Sequence, residues 1–554
     1  MDANTPFDSV LGTNFVPSES DVQLINAYLV EPLSEITQLD LEISRLQAKR
    51  DGIYARIQPY QALLSPIRRL PLDIMEKIFL ACLPTQRNPA MSTLEAPLKL
   101  GRICSSWRSF AYSCPRLWAR IHISVRYLGE IGEIPDSEID PDVYSFRMEH
   151  AMVGIRRRLD GVREWLERSQ SHPLSISVFE PSAACNSPAV LHLLQTLLPF
   201  SKQWQNLKFM ITWDESTMSD CSQQFSLLEL PTLRSVHLRD LRNAQPHLRS
   251  PFNWLLKPSL QSFHALSLFS PFVVKLGIHW STLTELSLLG PIITPSDAAS
   301  LLISCTNIVK CALEVSIQYG TVNLPKLIQL RRLESLTFYE KVGFPVSLHL
   351  PNLCDFSFGS ECPPNAPRFD LPGTLSTLRS LTTLTLDPIA LTSEVILRSL
   401  SCASSLKYLT FRAMNKTTRG AFNHEDEEEE AMAKVIEALT PTESDDLLVT
   451  TFCPNLETFE CEIWPCFSDK ALETMIIRRT SPKFQGSILW RVAVDFTQYP
   501  GRQMTLDLWE SLDNVVDEFF ELELQYLADE PEMISVFSGV GTTEMVPDWA
   551  LEGI

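Results

Sequence analysis

One short pattern, apolar-x-x-apolar-x-apolar, returns through the middle of the chain and constrains its fold more than any other feature. It reads LRSVHL from Leu233, LTELSL from Leu283, IVKCAL from Ile308, LESLTF from Leu333, LCDFSF from Leu353, LTTLTL from Leu381, LKYLTF from Leu406 and LETFEC from Leu456, with looser copies beginning at Leu207 and Leu260. Successive starts lie about 20 to 28 residues apart, save a gap of twice that between Leu406 and Leu456, which holds either a degenerate repeat or an insertion. A unit this short cannot bury its apolar face alone, whereas stacked neighbours bury one continuous core. Helices fit between several of the strands. TPSDAASLLISC offers Thr294 as N-cap with Pro295 at the first position and Asp297 near the capping-box site, and SDKALETMIIRR starts at Ser468.

The period falls in the range of leucine-rich repeats. Residues 121–500 are therefore expected to form an irregular α/β solenoid with a curved parallel sheet on its concave face and an acidic insertion near 413–450. The turn asparagine frequent in such repeats is mostly missing, and Pro291 or Pro388 follows the strand instead. The x positions of each strand are expected to point outward on the concave face. This places Ser235 and His237, Glu285 and Ser287, Glu334 and Thr337, Asp355 and Ser357, Thr383 and Thr385, and Tyr408 and Thr410 there. Their collective surface, with His237, Glu285, Glu334, Thr337, Asp355, Thr383 and Tyr408 as its core, is the candidate binding site for a target protein.

Composition narrows the class of molecule. At 554 residues the chain exceeds one compact core, and no apolar run approaches the roughly 20 residues that span a bilayer. The start, MDANTPFDSV, lacks the basic and apolar segments of a secretory signal, so an intracellular protein of cytoplasm or nucleus is expected. The 13 cysteines sit mostly in apolar patterns and read as reduced, buried residues. A formal charge of -20 opposes nucleic-acid binding and favours a basic partner surface.

Residues 1–20 are polar and aperiodic and are expected to be disordered. The segment 21–65 carries a heptad stripe: Ile36, Leu39, Ile43, Leu46, Arg50, Ile53, Ile57, Tyr60 and Leu64 recur with three-four spacing. Gly52 and Pro59 weaken this helix, and Arg50 occupies a seam position. Two readings stay open: a coiled coil that self-associates through residues 36–64 or recruits a partner, and a helix that folds back on its own chain.

Two short amphipathic helices follow. SPIRRLPLDIMEKIFLACLP places Pro71 at a first helical position and Ile74, Met75, Ile78, Phe79 and Cys82 on one stripe. After a polar, Pro-rich break at 84–97, Leu100, Ile103, Cys104, Trp107, Phe110 and Ala111 share the face of a second helix that ends at Cys114-Pro115. The runs LPLDIMEKIF, ICSSWRSFA and CPRLWARIHI resemble the F-box motif, which opens on Leu-Pro-x-Asp/Glu-Ile/Leu and closes on Cys-x-x-Trp-Arg and Pro-x-Leu-Trp. With the preceding coil-like helix, the arrangement is similar to F-box proteins of mushroom-forming fungi, although the 84–97 loop is longer than in the tightest animal examples.

The resemblance implies a three-helix domain at 66–120 that docks on a Skp-type adaptor and, through it, a cullin-based ubiquitin ligase. Leu70, Pro71, Ile74, Ile78 and Phe79 would face the adaptor, joined by Leu100 and Trp107 nearer the domain core, with Cys104, Pro115, Leu117 and Trp118 completing that core. The same residues packing against the coil and repeats is the plainer alternative.

Other signals are weaker. The run HEDEEEE at 424–430 reads as a solvated loop or as a contact for a basic partner. Cys453, Cys461 and Cys466 with His424 form no Cys-x-x-Cys pair, and neither metal nor cofactor is expected. No phosphate loop, Gly-x-Ser-x-Gly elbow or His-Glu-x-x-His helix occurs. At the end, ILWRVAVDF reads as a capping edge strand. TLDLWESLDNVVDEFFELELQYL in 501–554 reads as an acidic helix packing through Leu508, Leu512, Val515, Val516 and Phe519, followed by a loose tail. The leading expectation is a non-enzymatic substrate-recruiting adaptor; a scaffold acting outside a ligase through its coiled-coil helix is the second, and a hydrolase whose Ser or Cys, His and Asp converge only in the fold is the third.

Overall fold

The computed structural model describes residues 6–8, 10–124, 141–179, 188–211, 228–240, 259–266, 278–290, 293–317, 324–362, 367–388, 391–414, 425–444, 447–462, 467–495, 508–512 and 520–525. Its contacts divide the chain into two compact units, residues 1–78 and 79–554. The division falls inside a helix, Leu72–Ala81.

In the first unit a single helix, α1, runs from Glu19 to Leu64 (Glu19–Leu64, 46 residues). It opens on a capping box: the Ser18 hydroxyl accepts from the Asp21 N–H at 3.4 Å and the Asp21 carboxylate accepts from the Ser18 N–H at 3.0 Å. Just upstream, the Val10 and Leu11 N–H groups close a turn on the Phe7 carbonyl, so part of the segment expected to be unstructured is turned. Pro32 and Pro59 stand inside the helix without ending it. The whole stripe from Ile36 to Leu64 is exposed. After a 3-10 turn, Pro66–Arg69, comes α2, Leu72–Ala81. Pro71 sits one residue ahead of α2, at its cap, where its carbonyl accepts from the Ile74 and Met75 N–H groups; the first-position assignment is corrected by one residue.

Among the described residues the second unit is built on one parallel sheet of fourteen strands whose order follows the chain. The strands are β1 Arg120–Ser124, β2 Leu174–Phe179, β3 Trp204–Ile211, β4 Ser235–Asp240, β5 Ser262–Leu266, β6 Glu285–Leu289, β7 Lys310–Val315, β9 Ser335–Glu340, β11 Asp355–Ser360, β12 Thr383–Leu386, β13 Tyr408–Phe411, β16 Thr458–Cys461, β17 Arg491–Asp495 and β18 Glu521–Gln525. Two short strands, β8 Leu327–Gln329 and β10 Ser347–His349, pair in parallel apart from the main sheet, and β14 Thr442–Ser444 with β15 Leu447–Val449 pair antiparallel. Connecting helices include Pro141–Arg168, Pro188–Leu197, Pro295–Ser304, Ser393–Cys402 and Asp469–Thr480.

Register explains why the pattern works. Val236, Phe263, Leu286, Cys311, Leu336 and Phe356 align from strand to strand and are all buried, as strand alternation requires. The leading apolar residue stands three positions ahead of this row: Leu233, Leu260, Leu283, Ile308, Leu333, Leu353, Leu381, Leu406 and Leu456 are each buried. Leu207 belongs to the row itself, since it pairs with Val236, so the leading residue of its repeat is Trp204. By the same spacing Trp118 leads the repeat centred on Ile121. The residue before several leading positions ties its repeat to the one before. Thr282 Oγ1 donates to the Leu260 carbonyl, and Ser405 Oγ to Leu381. Asn307, Asn352 and Asn455 Nδ2 donate to Ser281, Arg331 and Ser404. These five side chains cross-link successive copies of the pattern.

The helix starts at Thr294 and Ser468 hold: Thr294 Oγ1 accepts from the Asp297 N–H and Ser468 Oγ from the Ala471 N–H, both at 3.1 Å. Between Leu406 and Leu456, β13 pairs directly with β16, so the gap adds no strand to the main sheet and is an insertion. It holds the β14–β15 pair and the helix Glu425–Leu439, whose first turn carries the acidic run read from sequence as a loop; His424 and residues 415–423 lie outside the described residues.

The carboxyl end also differs from expectation. β17 is not the edge, because β18 follows it in register from Glu521 to Gln525. The acidic helix is confined, among the described residues, to Leu508–Leu512, and ELELQ is a strand. In that segment the alternation of Glu and Leu competes with three-four spacing, and pairing to β17 decides it. Leu508 and Leu512 are buried, while Val515, Val516, Phe519 and the tail 526–554 lie outside the described residues.

Candidate docking surfaces

The residues that carry the motif divide into exposed and buried sets. At the start of α2, Pro71, Leu72 (70% exposed) and Ile74 (36%) lie open, with Leu70 and Ile78 half-buried. Phe79, expected to face a partner, is fully buried: its ring lies 4.8 Å from Trp107 and 5.2 Å, edge-on, from Phe110. The expectation is corrected, because a ring so enclosed by two aromatic neighbours serves the core. Leu100 is buried as well, and Trp107 is half-buried. The second helix is two pieces, a 3-10 turn Leu100–Arg102 and the helix α3, Ser105–Ser113. Cys104, assigned to the core, is exposed and caps α3 with its thiol, which accepts from the Trp107 N–H at 3.4 Å.

Pro115 is half-buried in the 3-10 turn Pro115–Trp118, and Leu117 and Trp118 are fully buried. Trp118 donates from its ring nitrogen to the Ala111 carbonyl at 2.8 Å and meets Trp165 edge-on at 4.8 Å. Arg168 lies over both the Trp118 and Tyr112 rings at 4.8 Å. The 84–97 loop is stitched to the sheet. Ala90 bridges His122, whose N–H donates to the Pro89 carbonyl at 2.7 Å. Arg120 donates to the Pro84 and Arg87 carbonyls and to Asn88, which in turn donates to the Ser175 carbonyl. The loop thereby covers an edge strand that would otherwise present open backbone groups.

On the polar face of the sheet, one register row runs through Lys208, His237, His264, Ser287, Ala312, Thr337, Ser357, Thr385, Thr410 and Glu460. It does not point uniformly into solvent. His237 (0% exposed), Ser287 and Thr337 (6%) are buried, which corrects their assignment to an open binding face. Side chains in line on parallel strands stand about 4.8 Å apart and cover one another, as in the stacked His237 and His264 rings at 5.2 Å. Ser357, Thr385, Thr410 and Glu460 are half-exposed, so the accessible part of this row lies toward the carboxyl end.

The remaining candidates are distributed along the same face. Asp355 and Thr383 are half-buried and Tyr408 is 38% exposed, whereas Glu334 is exposed one residue ahead of β9. Asp355 accepts from the Ser335 hydroxyl at 2.7 Å. Beyond them ion pairs link successive strands: Lys407 to Glu457 at 2.8 Å, Arg412 to Glu462, and Arg491 to Glu460, Glu521 and Glu523 at 3.6, 3.3 and 3.1 Å.

Glu285 belongs to a polar cluster that the linear pattern does not reveal. The Ser262 hydroxyl donates to Glu285 at 3.1 Å and lies 2.6 Å from His264 Nε2; Lys310 stands 3.9 Å from Glu285. Serine has one proton to give, so with Glu285 receiving it His264 Nε2–H is the donor to Ser262. Burial, aided by Lys208 and Lys310, pushes the His264 pKa down to about 3. A hydrolytic triad needs the carboxylate on the ring nitrogen remote from the serine. Here it sits beside the serine, and the cluster cross-links strands without that geometry.

Among the described residues no group of three or more His, Cys, Asp or Glu stands together as metal ligands, and no helix is long and apolar enough to cross a membrane. Cys453 and Cys461 are buried, and burial raises the Cys453 pKa to about 12; Cys466 and His424 lie outside the described residues. Compared with known proteins, the chain matches no family model and no curated protein.

Proposed function

We propose that the chain recruits substrates to an SCF-type ubiquitin ligase. In this reading an F-box at residues 66–120 docks on a Skp-type adaptor and, through it, a cullin-based ligase. The fourteen-stranded sheet and its helices act as an irregular leucine-rich-repeat solenoid that holds a target protein. The observation that carries the reading is the split within the ordered motif. Phe79, Leu117 and Trp118 are consumed by the core, while Pro71, Leu72 and Ile74 at the Leu-Pro end remain open. Apolar side chains left in solvent on a short helix are what a partner helix would cover. The half-exposed row from Ser357 to Glu460, with Tyr408 beside it, supports the carboxyl half of the sheet as the target face.

No residue of this chain performs bond chemistry in this reading and no cofactor takes part; it supplies proximity for a reaction on other subunits, inside the cell. Copurification with a Skp-type adaptor tests it. Leu72→Asp with Ile74→Asp places charge on exposed positions and is expected to abolish that capture while the far-ultraviolet circular dichroism is unchanged. Undiminished capture by the double variant overturns the docking assignment. Ubiquitinated proteins that accumulate when the chain is deleted would name the target. A second reading, a scaffold outside any ligase, is favoured by one observation alone, the exposed stripe of α1.

A further inference from the structure

The seam of α1 extends beyond residues 36–64. Counted in heptads from Ile36, it continues back to Leu29, Ile25 and Val22 across Pro32, which holds the intervening seam position, all on the one helix Glu19–Leu64. Gly52 and Pro59, which weaken the helix, both fall at the position just before a seam residue (Ile53 and Tyr60), directed away from the seam. The charges flanking the seam are ordered. The residues immediately ahead of Ile36, Ile43, Arg50 and Ile57 are Glu35, Glu42, Lys49 and Arg56: two acids, then two bases.

We propose that α1 pairs antiparallel with α1 of a second copy of this chain. In an antiparallel pair these flanking positions meet their own kind along one side of the seam. Set Ile43 against Leu46 of the second copy and Glu42 faces Lys49 while Glu35 faces Arg56, each twice by the two-fold axis. The same register lays Ile36 on Ile53 and Arg50 on Leu39, with Asp40 of the second copy beside the guanidinium. A parallel pair does the reverse, stacking Arg50 on Arg50 and setting Glu35 against Asp40. Every residue of this scheme from Glu35 to Ile57 is exposed. Among the described residues none lies within ion-pairing distance of Glu35, Lys49 or Arg56, and Glu42 meets Arg45 of its own helix at 3.5 Å. One helix of 46 residues is about 69 Å long. The rest of each chain therefore leaves the pair at opposite ends, with the two Leu64 residues roughly 60 Å apart. The inference is independent of adaptor docking, since it uses no residue beyond α1.

Sedimentation equilibrium of the full chain is expected to give twice the 62.7 kDa chain mass. An all-basic variant, Glu35→Lys with Glu42→Lys, and an all-acidic one, Lys49→Glu with Arg56→Glu, should each self-associate roughly a hundredfold more weakly, as four attractive pairs become repulsive. Mixed together the two should form a heterodimer at least as tight as the unaltered pair, because all four contacts are attractive again. A wild-type chain that stays monomeric at about 100 μM overturns the proposal. So does a mixture that fails to pair while both variants keep their helical circular dichroism, or an all-basic chain that self-associates undiminished, as a parallel pair would allow.

Discussion

The carbonyl oxygen of Cys453 accepts a hydrogen bond from Nη1 of Arg479 at 3.0 Å, and Cys453 itself holds a left-handed backbone with φ 45°. The same guanidinium donates from Nε to Leu439 at 2.7 Å and from Nη2 to Phe452 at 2.9 Å. Leu439 ends the helix of the insertion, and residues 452–453 lead into β16, so one buried side chain ties the insertion to the sheet and offsets the strain at Cys453. Burial lowers its pKa to about 10, which leaves it charged at neutral pH. Arg479→Met removes all three donors; Cys453 keeps the Leu456 N–H at 3.1 Å and Phe452 the Thr450 hydroxyl at 3.4 Å, so the Leu439 carbonyl is the one left to find a new donor. A loss of about 2 kcal/mol is expected in urea unfolding. A loss below about 0.5 kcal/mol would show that another donor reaches the Leu439 oxygen.

The amide bridges between repeats predict a smaller and separable effect. Asn352 Nδ2 and Asn455 Nδ2 each donate to a carbonyl of the preceding turn, at 2.8 and 2.9 Å, from exposed positions. Asn352→Ala and Asn455→Ala should each cost about 1 kcal/mol. The two sites share no partner, so the double variant should cost their sum within about 0.5 kcal/mol. Chemical denaturation of the three proteins checks both statements, and strong non-additivity would reveal coupling along the sheet.

These bridges show what a linear reading catches and what it misses. The rows headed by Leu233, Leu283 and Leu353 were legible because strand alternation and burial leave a direct mark in residue type. The residue ahead of each leading position, so often Ser, Thr or Asn, carries an equally local signal, but its meaning depends on the carbonyl of a different repeat. Trp118 was legible as the end of a helical motif and not as the head of the first repeat, because both roles demand the same buried aromatic. Phe79 and His237 were misplaced for one reason: periodicity names a face, while burial of that face depends on neighbours distant in sequence. ELELQ in β18 failed differently, as its two-residue alternation was embedded in a longer helical spacing.

The double role of Trp118 has a measurable consequence. It packs on Trp165, bonds the Ala111 carbonyl and precedes β1 directly. Trp118→Ala is expected to cost about 3–5 kcal/mol. The loss should not stay local. Because the 84–97 loop is held on β1 through the His122 N–H and the Pro89 carbonyl, hydrogen exchange at His122 should accelerate along with that of α3. Exchange confined to α3 would mean that the helices and the sheet edge fold independently.

The buried imidazole of His264 gives the sheet an acid sensitivity with a defined sign. Its pKa is pushed down to about 3 by burial, with Lys208 and Lys310 adding to the effect, while an unfolded chain would bind the proton near the ordinary 6.5. Above pH 6.5 neither state holds that proton and the contribution is complete. As pH falls toward about 3, the unfolded state takes up a proton that the folded state refuses, and stability drops by linkage. At pH 5 the loss from this one group is about 2 kcal/mol. His264→Gln keeps a side-chain amide able to reach Ser262 and cannot titrate. Its unfolding free energy should fall less between pH 7 and pH 5 than that of the unaltered chain, by about that amount. Equal slopes for the two proteins in urea unfolding at these pH values would show that His264 takes up its proton without unfolding, and that the Ser262–Glu285 cluster accommodates the charge.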